Sequence, residues 1–345
     1  MIKLYTYQEF LTPENRSKVF PLLFDLCYYE KAASILFEKF QLVETPEEAH
    51  FLIFPLEINK AVEGKGKKAF QRMLTQAKYL KKKLWVYTGG DYGRTFQEPE
   101  IMTLRFGGFK TTNASQTYIC PTFIEDPIGT WVPSLTYLPY QAIPEISFTG
   151  YASGSRSEWF LNLLAHYRRN FLRLLKKDLS DKQSFFPVAF RRNQFLKKIQ
   201  KDSRIRTHFI LRKKYRAGAH SEIERKHTTQ EFFQNMIASP YTFCLRGAGN
   251  FSVRFYESLA CGRIPVLLDT DVSLPLESII PWNEHICRVN PKEDWIEQIV
   301  AFHSKMTEEG FVEMQKNNRK LYQAYLIRHH YFCYWHQELK KFLKT

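Results

Sequence analysis

The chain has 345 residues, 44% of them hydrophobic and 16% aromatic, which is core material for two domains and too much chain for one core of ordinary size. Lys and Arg number 50 against 35 Asp and Glu, a formal charge of +15 that calls for an anionic partner: nucleic acid, an acidic membrane surface or a phosphorylated substrate. No apolar run approaches the ~18 residues of a membrane span, and the first residues read as a strand rather than a signal segment, so a cytoplasmic protein is expected. The positive charge is spread over 65–83, 168–177, 191–216 and the C-terminal tail, without zinc-finger spacing, an RNP-like motif or a helix-turn-helix pattern. That distribution argues against nucleic acid. Six cysteines with no C-x-x-C spacing read as buried small hydrophobes of a reducing compartment.

In chain order, 3–7 reads as a strand and 20–40 as a helix, on the spacing of Leu23, Leu26, Ile35, Leu36 and Phe40. The continuous apolar run 50–56 is a strand buried on both faces, 67–83 a basic helix, and 84–88 another buried strand running into Gly89-Gly90-Asp91. Short strands are expected near 103–106 and 118–119. Pro133, Pro139 and Pro144 then punctuate an extended linker. Alternation restarts with a strand at 145–149, helices at 158–177 and 191–201, and a strand at 207–211. Thr228-Thr229-Gln230-Glu231 reads as a capping box opening a helix to 238. A strand at 285–289 follows later, then helices at 292–306, 310–326 and 331–343. This is an α/β chain of two domains, 1–144 and 145–326, with a last segment, 327–345, expected to pack back on the first.

The most informative stretch is 239–269, a strand, a glycine-bearing loop, a helix and a second strand. The loop Arg246-Gly247-Ala248-Gly249-Asn250 lets backbone amides approach a ligand, and the helix behind it offers free N–H groups, an arrangement suited to phosphate. A G-x-G without the third glycine of the dinucleotide fingerprint is weak evidence alone. Gly262 is a helix stop. Arg254 and Glu257, three apart, share a helix face, so Arg246 and Arg254 are expected on a diphosphate and Glu257 on two ribose hydroxyls. The plainer alternative is a surface ion pair between Arg254 and Glu257, worth a few tenths of ~1 kcal/mol.

This stretch resembles the exostosin family of glycosyltransferases, whose signature Arg254, Glu257, Gly262, Pro265 and Val266 match. Thr45-Pro46-Glu47-Glu48-Ala49 with the apolar run after it, Phe148-Thr149-Gly150 with Arg156, and 274–282 (L-P-L-E-S-I-I-P-W) are similar to further family segments in the same order. The resemblance implies a GT-B fold, two Rossmann-like domains facing across a cleft, with C-terminal helices. It also implies an inverting enzyme that moves a sugar from a nucleotide-sugar, mostly a UDP-sugar, to a hydroxyl of a glycan or lipid-linked glycan acceptor. The family's P-x-G loop is replaced here by Arg246-Gly247-Ala248-Gly249. Animal and plant members usually carry a membrane anchor, and this chain shows none, which points to a bacterial-type enzyme of surface polysaccharide synthesis.

An inverting transfer needs a base for the acceptor hydroxyl. Asp91 and Glu57, each just past a buried strand, are the two candidates, and either can instead cap the structure that follows. Arg156 and Arg216 are further candidates for phosphate. No cofactor or metal is expected, since the basic residues would take the place of a divalent cation. The basic helix 167–177 is a candidate for peripheral contact with anionic lipid at the inner face of the membrane. Two other functions stay open: a GDP-fucose-dependent fucosyltransferase, and a non-catalytic binder of anionic glycan or nucleic acid.

Overall fold

Near-continuous runs of β-branched and aromatic residues, separated by basic amphipathic segments, build two sheets in which every pairing is parallel. The computed structural model describes residues 1–28, 35–61 and 64–343. The first sheet holds β1 (Ile2–Tyr5), β2 (Phe40–Leu42), β3 (Phe51–Glu57), β4 (Lys83–Thr88), β5 (Ile101–Arg105) and β6 (Thr117–Ile119), ordered β2-β1-β3-β4-β5-β6. The second holds β7 (Glu145–Tyr151), β8 (Arg206–Arg212), β9 (Tyr241–Cys244), β10 (Ile264–Leu268) and β11 (Cys287–Val289), ordered β11-β10-β9-β7-β8. All residues of β3, β5, β9 and β10 are buried, as strands covered by helices on both faces must be. The fold is α/β with two Rossmann-like halves. In each, the chain order reverses beside the first strand, between β1 and β3 and between β7 and β9. The carboxyl ends at such a reversal open a crevice where ligands bind.

The helices are α1 (Pro21–Tyr28), α2 (Gly64–Tyr79), α3 (Arg156–Leu174), α4 (Val188–Gln200), α5 (Glu222–Ile237), α6 (Val253–Ala260), α7 (Trp295–Ser304), α8 (Glu308–Leu321) and α9 (Arg328–Phe342). Of the helix expected over 20–40, Pro21–Tyr28 forms α1 and 35–37 are helical, 29–34 lie outside the described residues, and Phe40 starts β2 instead of ending the helix. The capping box expected at Thr228 lies inside α5. Ser221 and Glu224 form the box instead, Thr228 Oγ1 donates back to the Arg225 carbonyl, and Glu231 pairs with Arg212 at 2.6 Å. A hydroxyl that bonds back to a carbonyl within its own helix is as compatible with T-x-x-E as a cap is. The expected helix 310–326 divides into α8 and a π-turn, Tyr322–Leu326.

The proline-rich segment after β6 lies along the second half. Asp126 receives both Nη groups of Arg319 (2.9 and 2.7 Å), and Leu138 exchanges two hydrogen bonds with the Gln315 amide. α9 returns to the first half. Trp335 packs tilted against Trp85 with ring centres 4.5 Å apart, and Tyr331, Phe332 and Leu339 are buried in the same core. Among the described residues no helix is long and apolar enough to cross a membrane.

Candidate functional site

β7 ends in Phe148-Thr149-Gly150-Tyr151, beside the chain reversal of the second sheet. Two guanidinium groups converge on it. Arg254, in the first turn of α6, donates from Nη2 to the Thr149 carbonyl at 2.7 Å and lies 4.2 Å over the Phe148 ring. Arg192 of α4 donates from Nη1 to the Tyr151 carbonyl at 2.8 Å, with its guanidinium 5.7 Å from the same ring. The Nε of each is buried without a hydrogen-bond partner, and among the described residues neither arginine is paired with a carboxylate. Burial pulls the Arg192 pKa down to about 9, with the charge of Arg254 acting the same way. Burial also lowers Arg254, and nearby Arg212 adds to that effect. Two adjacent, half-buried cations without a carboxylate partner make a strong attractor for a polyanion.

Gly150 permits this approach. A Cβ there would lie 2.8 Å from Arg254 Nη2, so the glycine serves close packing rather than an unusual backbone angle. α6 arises because Phe255, Tyr256, Leu259 and Ala260 pack into the core and Gly262, at φ +60°, stops the helix after Cys261. The opposite side carries Arg254 and Glu257, both partly accessible though densely surrounded. They do not form the surface ion pair considered above. Glu257 has no hydrogen-bond or ion-pair partner among the described residues, and burial raises its pKa to about 7 against the opposing pull of Arg254. The Ser252 side chain does not cap α6, although its carbonyl accepts from the Phe255 amide at 3.2 Å.

Arg246 is not brought to Arg254. It is 3% exposed, with its guanidinium 4.9 Å from the Phe186 ring and 5.1 Å from that of Phe109 in the first half. Its Nη2 donates to Gln183 Oε1 at 2.5 Å and to the Ala248 carbonyl at 2.7 Å. It borders a cavity of about 210 Å³, lined also by Tyr92, His166, Arg169, Arg173 and Gln183. The Gly247 amide is bonded to the Phe251 carbonyl at 3.0 Å. Gly249 lies flat on the first half: a Cβ there would overlap the Asp91 carbonyl oxygen and come within 2.5 Å of the Phe251 ring. Asn250 is a clasp. Its Nδ2 donates to the carbonyls of Gly108, Thr270 and Asp271 (2.9, 3.0 and 2.9 Å) and its Oδ1 accepts from Thr270 Oγ1 at 2.7 Å, which leaves the side chain nothing for a ligand.

Of the two base candidates, Asp91 has an exposed side chain on the loop after β4, and its backbone touches Gly249. Glu57 is 4% exposed and caps the turn that follows it, its Oε1 accepting from the Asn59 amide at 3.0 Å, while burial raises its pKa. Arg156 is exposed at the first position of α3, just beyond β7, and Arg216 is exposed past the end of β8. The sequence also contains an acidic triplet, Asp269-Thr270-Asp271, that the metal-free expectation overlooks. Asp269 accepts from Arg288 Nε (2.8 Å) and the Val272 amide (3.0 Å), and Asp271 from Thr111 through its amide (3.1 Å) and hydroxyl (2.5 Å). The triplet therefore ties loops together. Arg192 was missed by sequence reasoning, being one cation among several in a basic helix. Only its register beside the end of β7 distinguishes it.

Comparison with protein-family models gives no match, and neither does comparison with curated proteins, so the exostosin resemblance rests on the segments quoted above. Solved structures do show likeness. TarM is 9% identical with a TM-score of 0.32 over 87% of this chain and 51% of that one. The GtfA/B complex is 13% identical with a TM-score of 0.36 over 84% and 57%. A sucrose-phosphate synthase from Thermosynechococcus elongatus is 12% identical with a TM-score of 0.30 over 84% and 68%. The chain thus spans about half the length of the first two. Likeness this distant transfers no chemistry.

Proposed function

We propose that the chain is an inverting glycosyltransferase of GT-B type, moving a hexosyl or uronosyl group from a UDP-sugar to a hydroxyl of a glycan acceptor in surface polysaccharide synthesis in the cytoplasm. The carrying observation is the pair Arg192 and Arg254 around Phe148, two cations without a carboxylate at the crevice of the second sheet. In this reading they take the diphosphate, helped by the first turn of α6 and by Arg156 beside the start of α3. As the bond to the sugar breaks, negative charge grows on the leaving diphosphate, and fixed guanidinium groups stabilise it without the help of a divalent metal. Glu257, with oxygens committed to no protein donor, accepts from the ribose hydroxyls. Asp91, on the opposite half and facing the same loop region, is the base that takes the acceptor's proton.

The test is a thermal-shift panel of nucleotides and nucleotide-sugars with EDTA present. UDP or a UDP-sugar is expected to raise the melting temperature, and Glu257→Ala to remove the effect. A response to GDP alone would favour the fucosyltransferase. No response and no donor turnover would leave a non-catalytic binder. Asp91→Asn should keep the UDP response and lose about 10²- to 10⁴-fold in transfer rate, whereas Glu57→Gln should act chiefly on stability. An Asp91→Asn enzyme of unchanged rate would remove Asp91 from the mechanism.

A further inference from the structure

α3 leaves an apolar stripe uncovered. A surface helix buries its apolar stripe and shows its charges to water, yet none of the 19 residues of α3 is buried. Phe160, Leu164, Tyr167, Phe171 and Leu174 follow one another at steps of four and three, forming one continuous stripe with Leu161 and Leu175 beside it. These seven side chains are between 48% and 78% exposed. The side that faces the protein is mixed: Trp159 packs edge-on against Phe185 and Leu163 is half-buried, among polar side chains. His166, Arg169 and Arg173 line the cavity that Arg246 borders, Arg169 lies 4.0 Å over the Tyr92 ring, and Arg173 donates to the Ser180 carbonyl and hydroxyl at 2.9 and 3.0 Å. The seven apolar side chains are therefore set out towards whatever covers them.

We propose that this face of α3 docks on an anionic lipid bilayer. Charge selects the occupant. Between 156 and 177 there are six Lys and Arg against one acid, Glu158, and Arg156, Arg168, Lys176 and Lys177 are exposed. A second copy of the chain could match the four-three spacing, but would bring like charges together along the seam where coiled coils place opposite ones. A bilayer bearing anionic headgroups accepts both features together. The aromatic and leucine side chains enter the interface, and the basic residues beside them meet the lipid phosphates. In that orientation the cavity behind α3, rich in arginine, lies just above the membrane surface. This inference stands on the helix alone and does not depend on the sugar-transfer reading.

The experiment is flotation of the full chain with vesicles of phosphatidylcholine and phosphatidylglycerol in a two-to-one ratio, against vesicles of phosphatidylcholine alone, at low and high salt. Binding to the anionic vesicles at least about tenfold tighter, and weakened by salt, is expected. Leu164→Glu with Phe171→Glu should abolish it while the melting temperature and the response to UDP stay as in the parent chain. Arg168→Glu with Lys176→Glu, both at exposed positions, should lower binding to anionic vesicles and leave binding to neutral ones unchanged. Absence of vesicle binding would overturn the proposal, as would binding that survives the Leu164 and Phe171 changes. So would sedimentation showing a dimer that those same changes dissociate.

Discussion

Substituting Gly150 by alanine separates the fold of the second half from its proposed chemistry. The new Cβ would lie 2.8 Å from Arg254 Nη2, while such atoms rest at about 3.5 Å, so the guanidinium has to withdraw by roughly 0.7 Å. It is the free end of a flexible side chain, and withdrawal gives up its bond to the Thr149 carbonyl, a loss of about 1 kcal/mol of stability. For a diphosphate the same displacement matters more. One misplaced charge-assisted hydrogen bond is worth about 1.5–3 kcal/mol, which weakens UDP binding about ten- to a hundredfold.

Calorimetric titration with UDP, run beside urea unfolding of the same preparation, reads both quantities. Arg254→Ala serves as the reference and should lose at least as much affinity. If Gly150→Ala binds UDP as tightly as the parent chain, Arg254 does not hold the diphosphate and the assignment fails. If instead the variant unfolds several kcal/mol more easily with its affinity intact, Arg254 is a structural strut of β7.

Gly249→Ala should behave in the opposite way: the added carbon meets the backbone of Asp91, which cannot withdraw as a side chain can. Urea unfolding should show a loss of about 2 kcal/mol or more, reflecting overpacking at the contact between halves. Glu257, at about 7, is protonated more readily in the fold than in the unfolded chain, so its contribution is present below the ordinary carboxylate pKa and lost as pH rises through 7. Glu257→Gln should therefore leave stability at pH 4 unchanged and raise it at pH 8 by about 1–3 kcal/mol. UDP affinity of the parent chain should rise through pH 7 as Glu257 ionises, and Glu257→Gln should flatten that rise. Arg328→Ala leaves the Asp25 carboxylate, fully buried and held at 2.6 Å by Arg328 Nε, without its counterion. A loss of about 3–5 kcal/mol in urea unfolding is expected, and a neutral result would show that the ion pair does not tie α9 to α1.

Much of the α/β pattern is legible from the sequence because parallel strands announce themselves as continuous apolar runs. Those at 50–56 and 84–88 fall on β3 and β4 nearly residue for residue. β2 is not legible, since three residues at an edge carry no period of their own. The stop at Gly262 is legible because a positive φ after a helix favours glycine. The cap of α5 is misread because S-x-x-E at Ser221 and T-x-x-E at Thr228 are equivalent as strings, and tertiary contacts decide between them. For the site, Arg254 and Glu257 are visible as a spacing on one helix. Arg192 is not, because its partners, Phe148 and Tyr151, lie more than forty residues away. Asn250 and Arg246 mislead for a related reason: a glycine loop that suits phosphate is equally suited to lying flat against another domain, and this one does so through Gly249.

That last point bears on how the two halves work together. The loop 246–250 meets the first half at Asp91, Gly108 and Phe109, all of which follow first-half strands. A second clasp lies beside it, where Asp181 accepts from Arg105 at 2.8 Å and from the Thr95 amide and hydroxyl at 2.8 and 2.9 Å. Each clasp joins a second-half segment to a loop or strand end of the first half. The carboxyl ends of both sheets are thereby held towards each other, with Asp91 against Gly249 of the loop. Sliding one half on the other would have to break Asn250 from Gly108, Asp181 from Arg105 and Trp335 from Trp85. Stiffness at those points is what would hold an acceptor hydroxyl and a donor diphosphate at a fixed separation.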